Sequence, residues 1–404
     1  MSEGTPHPPT PQPLAGIKVV EFTHMVMGPT VGHILAGLGA EIARVEPIGG
    51  DRTRRLIGSG SGYFPMYNRG KSSICLNLKD DAGLAVAKDL IAGADILVEN
   101  FRPGALDRLG LDYDSCAKGN PGLIYCSEKG FLPGLYEQRT ALDEVAQMMG
   151  GLAYMTGPPG KPLRAGASVI DVTGGMFGVI GVLAALEERH RTGRGQKVTA
   201  SLFETTIYLV GQHMAQYAVT GAPAAPMPAR VSAWAIYDVF ETRDDPVFIG
   251  VVTDALWEKF CKLFALDELW ADEALRENNA RVQARDRILP VIREMVGSMT
   301  AAEVIAKLDG SGLPFAPIGR PEDMFDDPHL NEGGLEDVTL DNGTQVRLPT
   351  IPLEMDGKRI GSPQALPTPG RDTRAVLEAL GYDSERCEAL IESGAVGASG
   401  GASE

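Results

Sequence analysis

The chain has 404 residues, 44% hydrophobic and 22% charged, which suits one large core plus a smaller one and excludes a disordered or fibrous chain. Its net charge of −16 disfavours nucleic acid phosphates and anionic membranes as partners. Five scattered cysteines with no CxxC fit neither a disulfide framework nor a thiolate metal site.

Residues 1–13 carry five prolines and no apolar period, so they read as a disordered leader. No charged-then-apolar secretory pattern is visible. The most membrane-like run, Gly174–Leu186, has 13 residues, short of the roughly 20 a spanning helix needs. A cytoplasmic protein is expected.

From residue 14 the pattern alternates. Strands are predicted at Ile17–Phe22, Ala40–Glu46, Asp95–Phe101 and Leu123–Ser127, with helices at Pro29–Gly37, Ala82–Ala94 and Gly104–Gly110 between them. Short strand–helix–strand connections imply an open parallel sheet of Rossmann-like α/β type over residues 14–220. An apolar helix is predicted from Val172 to Arg191, with Asp171 as its N-cap and Gly193 ending it. Val198–Phe203 and a helix to about Val219 complete this domain.

The Pro/Ala-rich segment 221–232 reads as a linker. A hairpin at Tyr237–Thr242 and Val247–Val251, then helices at Ala255–Phe264, Arg281–Val296 and Ala301–Leu308, predict a smaller α+β domain over 233–320. Residues 320–356 hold ten acidic and two basic side chains, so 321–356 is expected to be an extended connector. Segment 357–392, with a last helix at Thr373–Leu380, returns to the large domain; 393–404 is a second disordered tail.

Several chemistries are missing. No GxGxxG follows the first strand, and Pro65 stands where a P-loop ending in Gly70-Lys71-Ser72 needs glycine. HExxH does not occur, and no GxSxG stands at a strand-to-helix elbow. Two features remain. Seven Lys/Arg against two acids between Arg44 and Lys79 form a basic cluster that would suit a phosphorylated ligand; from charge alone, solvent salt bridges are the slightly favoured account. Asp171 opens a helix beside Gly174 and Gly175, where the helix dipole would keep a carboxylate ionised and nucleophilic. By spacing alone an N-cap remains the plainer account.

Longer stretches are recognisable. PLAGIKVVEFTHMVMGP (13–29), GLGAEIARVEP (37–47), NRGKSSICLNLKDDAG (68–83), DILVENFRPGALDRLGLDYD (95–114), RTGRGQKVTASLFE (191–204) and PGRDTRAVLEALGY (369–382) resemble the class III coenzyme A transferases, the CaiB/BaiF or formyl-CoA transferase family. The resemblance implies Asp171 as nucleophile. It aligns Leu76, Lys79, Asn100, Phe101, Arg108 and Lys129 with CoA contacts. It further implies no permanently bound cofactor or metal, acyl-CoA and carboxylic acid as substrates, and an interlocked homodimer, or a heteromer with a paralogous subunit.

Formyl and oxalyl members carry a glutamine where this chain has Val26, and an arginine where it has Pro47, which disfavours oxalate and formate. The segment around 129–178 looks like mesaconyl-CoA C1–C4 transferases. An intramolecular CoA shift is therefore the first expectation. A succinyl-CoA-dependent transferase for another C4–C5 or aryl-substituted dicarboxylate, such as citramalate or benzylsuccinate, is the alternative. Ala141-Leu142-Asp143 lacks the histidine of the 2-methylacyl-CoA racemase branch, which disfavours that activity. A non-catalytic partner subunit is disfavoured by the retained Asp171. Met25, Val26 and Met27 are expected as apolar walls, backbone N–H groups near Gly174 as oxyanion donors, and Arg52, Arg139 or Arg164 as the cation for a spare carboxylate.

Overall fold

The structure is a computed structural model and describes residues 11–230, 232–361 and 365–399. It divides into two compact units, Met1–Ala224 with Pro328–Glu404, and Ala225–Asp327.

The larger unit is built on β1 (Lys18–Phe22), α1 (Met27–Gly37), β2 (Glu41–Glu46), β3 (Lys71–Leu76), α2 (Asp81–Ala92), β4 (Ile96–Glu99) and β5 (Ile124–Lys129). The short helix α3 (Asp143–Met149), the long α4 (Val169–Thr192), β6 (Lys197–Ser201) and α5 (Leu202–Thr220) follow. The strands pair in the order β3-β2-β1-β4-β5-β6, all parallel. Both faces are covered, so the strands carry apolar side chains on both sides. Val20, Phe22, Leu97 and Tyr125 pack with α2 and the C-terminal helices, whereas Val19, Ile96, Val98 and Ile124 pack with α1 and α4. Helix α4 lies close on α1 because Gly175 has no side chain; a Cβ there would sit 2.7 Å from the Met27 carbonyl oxygen.

The smaller unit pairs β7 (Ile236–Phe240), β8 (Val247–Val251) and a later strand, β9 (Phe315–Pro317), in one antiparallel sheet. It packs α6 (Asp254–Leu263), α7 (Arg285–Gly297) and α8 (Ala301–Leu308) around Trp257, Phe260 and Ile292. The single helix expected over Arg281–Val296 is interrupted at Ala284, separating Asn278–Gln283 from α7.

The chain beyond residue 320 departs from expectation. The extended connector contains a hairpin, β10 (Leu335–Thr339) with β11 (Gln345–Pro349), whose Val338 packs on Phe64 and Leu366. After α9 (Thr373–Ala379), an unforeseen α10 (Ser384–Glu392) uses Asp383 as N-cap. The tail expected to fray instead supplies β12 (Val396–Gly397), antiparallel to β3 with Val396 buried opposite Leu76. Burial of Ala395 and Val396 under α10 holds it there. Most of the expected leader, residues 1–10, and tail residues 400–404 lie outside the described residues.

Helix α4 spans 24 residues, so length alone would let it cross a membrane. Val179, Val182 and Leu186 serve as core against α1 and the sheet. Its boundary also moves: it starts at Val169 after Ser168, placing Asp171 inside the first turn rather than at the N-cap.

Candidate active site

In a sheet of order 3-2-1-4-5-6 the connections leave in opposite directions after β1 and β4, opening a crevice at their C-terminal ends. Here that crevice is stitched shut at its base. The His24 amide donates to Asn100 Oδ1 at 2.9 Å, and Asn100 Nδ2 donates to the His24 carbonyl at 2.8 Å. The His24 and Phe101 rings lie 5.5 Å apart.

Met25, next in the loop, has φ of +62°, a left-handed conformation that costs a residue with a Cβ. A buried polar chain holds it. The Met25 amide donates to Thr53 Oγ1 at 3.3 Å, and Thr53 donates to Asp51 from its amide at 2.8 Å and its hydroxyl at 2.9 Å. Arg44 pairs with Asp51 and, at 2.6 Å, with Glu21; Lys71 bonds both Glu21 oxygens at 2.9 Å. The basic cluster seen in the sequence is thus mostly internal. Arg44, Arg69 and Lys71 are buried, and Arg54 pairs with Glu46 at 2.7 Å, so only Arg52, Arg55 and Lys79 face solvent. A desolvated charge must be paired, and Arg44 and Lys71 meet Glu21, Arg54 meets Glu46, and Arg69 meets Glu336 at 3.4 Å.

Beside this loop lies a cavity of about 290 Å³ whose walls include Met25, Met27, Asn100, Glu128, Lys129, Arg164 and Asp171. Asp171 is half-buried, and among the described residues its carboxylate accepts no hydrogen bond. The reason is Asp143 of α3, which caps α4 from outside. Its Oδ2 accepts from the Ile170 amide at 2.9 Å and the Asp171 amide at 3.1 Å, leaving the Asp171 side chain free. Gly174 is sixth in the helix, beyond its free amides, so the expected oxyanion donors there are already inside the helical ladder.

The electrostatics reverse the expectation of a low pKa. Burial, then the neighbouring Asp143 carboxylate, push Asp171 up to about 7, with Arg164 opposing. The positive end of the helix dipole is already compensated by Asp143, so it cannot hold Asp171 down. A carboxylate attacks only in its ionised form. In the nucleophile role that the resemblance implies for Asp171, kcat/KM should therefore drop about tenfold per pH unit below its value of about 7 and level off above it. A pH–rate profile that stays flat from pH 5 to 8 would contradict this.

The remaining sequence candidates separate into those at the cavity and those away from it. Lys129 is at its wall, paired with Glu99 at 2.7 Å and donating to the Phe101 carbonyl at 2.7 Å. Val26 is buried behind Met25. Arg164 is at the wall with its donors spent on Asp143 (3.4 Å), Glu144 (2.9 Å) and two backbone carbonyls, Ala165 and Ala167, so it clamps the capping group. Leu76 is buried at the end of β3, and Lys79 is exposed in the turn after it. Arg108 is exposed on the turn after β4. Arg52 is exposed, and Arg139 stacks on Tyr136 at 4.9 Å. The structure adds Asp143, Thr53 and Glu128, which the sequence reading left without a role. For Glu128 a signal existed: an acid inside the apolar strand LIYCSEK. Among the described residues no three His, Cys, Asp or Glu side chains gather as a metal site.

Comparisons with known proteins identify the family. Residues 14–373 match the model of CoA-transferase family III. The chain belongs to that family. The transferase is 34% identical to an acetyl-CoA:oxalate CoA-transferase of Acetobacter aceti, over 90% of this chain and 95% of the relative. It is 31% identical to a succinyl-CoA:glutarate CoA-transferase of Mus musculus, over 95% and 90%. A CAIB/BAIF family protein of Brucella suis superposes with a TM-score of 0.81 at 31% identity, covering 92% of this chain and all of that one. The protein is a class III CoA-transferase, moving CoA between carboxylates.

Proposed function

We propose that this transferase moves CoA from succinyl-CoA to a C4–C5 dicarboxylic acid through covalent intermediates on Asp171. The observation that carries the mechanism is the unpartnered Asp171 carboxylate at the switch-point cavity. The succinyl-CoA:glutarate relative supports an intermolecular reaction over the internal C1–C4 shift of mesaconyl-CoA. The apolar side chains Met25, Met27 and Leu202 suit a carbon chain longer than oxalate.

An Asp171 oxygen attacks the thioester carbonyl, the C–S bond breaks, and CoA leaves as thiolate, giving a mixed anhydride. The thiolate then attacks the Asp171 acyl carbon, releasing succinate and leaving an aspartyl-CoA thioester. The acceptor carboxylate attacks that carbon and expels the thiolate, forming a second anhydride. Thiolate attack on the acceptor acyl carbon yields the new thioester and restores Asp171. Activation is conserved at each step, so no ATP is consumed. Leu76 ends β3, and Lys79, Asn100, Phe101 and Arg108 follow β3 and β4, on the sheet edge that carries the cavity, a track along which an extended CoA would lie. Exposed Lys79 and Arg108 suit its phosphates.

We further read the chain as a cytoplasmic homodimer. Met176, Ile180 and Leu183 of α4, with Tyr208, Met214 and Tyr217 of α5, are exposed apolar side chains of the kind subunit contacts cover.

The test incubates purified protein with succinyl-CoA and, separately, glutarate, mesaconate, citramalate, benzylsuccinate and oxalate, following new thioesters by mass spectrometry and trapping acyl-Asp171 with hydroxylamine. A glutaryl-, mesaconyl- or citramalyl-CoA product with modified Asp171 is expected. Conversion of mesaconyl-CoA to its C4 isomer without free acid would replace the intermolecular reading by the internal one. Product from oxalate alone, or no modified Asp171, would overturn it.

A further inference from the structure

The transfer chemistry above leaves unused a buried carboxyl of the cavity wall. Glu128 stands on β5 between Ser127 and Lys129, is 2% exposed, and forms part of the wall of the Asp171 cavity. Helix α4 makes room for it. A Cβ at Gly178 would lie 1.9 Å from Glu128 Oε1, so glycine is required for the carboxyl to rest there. Oε1 accepts from the Cys126 thiol at 3.3 Å. Oε2 is buried and, among the described residues, has no hydrogen-bond partner. Leaving a buried polar atom unpaired is unfavourable, and such atoms call for an explanation.

The surrounding charges decide its protonation state. Glu99 on β4 and Asp171 on α4 bring acidic groups near Glu128, while Lys129 is committed to Glu99 and the Phe101 carbonyl. Cys126 is held as a thiol by burial. From α1 the neighbour is the apolar Val31. Burial, with Glu99 and Asp171, pushes Glu128 up to about 8. At neutral pH it keeps its proton, so one oxygen is a donor without an acceptor.

We propose that Glu128 is a substrate-binding residue whose protonated carboxyl donates a hydrogen bond to the carboxylate of the dicarboxylic acid bound beside Asp171. The proposal rests on the transferase reading above. An acid entering this cavity meets Asp143 and Asp171, so it needs a donor. A further free cation would pair with Asp171 and blunt the nucleophile; a neutral carboxyl does not. An O–H···O⁻ bond is also among the shorter and stronger hydrogen bonds.

The experiment measures the KM for glutarate against pH, with succinyl-CoA as donor, in the wild type, Glu128→Gln and Glu128→Leu. The Kd for free CoA and the thermal midpoint are recorded for each. In the wild type the glutarate KM should rise about tenfold per pH unit once Glu128 ionises above about 8. Glu128→Gln keeps a donor that cannot ionise and should abolish that rise. Glu128→Leu should raise the glutarate KM about 10–100-fold at every pH, from the usual worth of a hydrogen bond to a charged group, with the CoA Kd unchanged. Gly178→Ala, which pushes the carboxyl aside while keeping it, should also raise the glutarate KM.

Persistence of the alkaline rise in Glu128→Gln, or wild-type glutarate binding in a folded Glu128→Leu, would overturn the proposal. In both cases the wild type still transfers CoA, so the transferase reading survives. A wild type that acts on no dicarboxylate would remove that reading itself.

Discussion

Asp171→Asn is expected to lower kcat by about 10⁴-fold or more, the usual cost of losing a nucleophile, and at the same time to stabilise the protein. The second effect follows from the raised pKa. Between the ordinary carboxylate value of 3.8 and the folded value of about 7, the native state holds a proton that the unfolded state has lost. Stability therefore falls as pH rises through that window, and the full penalty is present above it. A shift of about three units corresponds to an upper limit of about 4 kcal/mol, and the residue's partial exposure reduces this to about 2 kcal/mol. Asparagine does not titrate, so the gain should be present at pH 8 and absent at pH 4. Urea unfolding at both values, beside turnover with succinyl-CoA, checks it. A variant less stable than wild type at pH 8 would show that Asp171 is not destabilised by its surroundings.

Glu21→Ala should produce the opposite result, a loss of about 3–5 kcal/mol, because it leaves two buried cations facing each other without their shared anion. Glu21 is fully buried and accepts from Arg44, Thr23 and Lys71. Lys71 already sits at about 8, pulled down by burial and supported mainly by Glu21. The damage should not stay local. Arg44 also holds Asp51, Asp51 holds Thr53, and Thr53 holds the Met25 amide at the cavity rim. Turnover in any folded Glu21→Ala protein should therefore fall as well. A stability loss below 1 kcal/mol, measured by denaturant unfolding, would mean that the network is hydrated rather than dry.

Much of this molecule is legible one element at a time. The apolar run ending in Phe22, the hairpin partner Val247–Val251 and the capped helix Ala301–Leu308 declare themselves because their patterns are local. Their alternation is enough for a parallel α/β sheet, and the long matched stretches are enough for the family. β3 was not legible: its run KSSICL mixes lysine and serine into a strand, because Lys71 and Ser73 meet Glu21 and Glu46 rather than water.

What the sequence alone determined is therefore the alternating fold of the larger unit, and it singled out Asp171 as a candidate. The tertiary structure alone decided how that residue behaves. Its helix is capped by Asp143, 28 positions earlier in the chain, and that carboxylate, with burial, sets its protonation. The apparent basic patch became an internal ion network, and two residues of an apparent tail became a strand on β3. In each case the deciding interaction joins residues far apart in the chain. Desolvation and ion pairing depend on what lies within a few ångströms in space, and no local pattern records that.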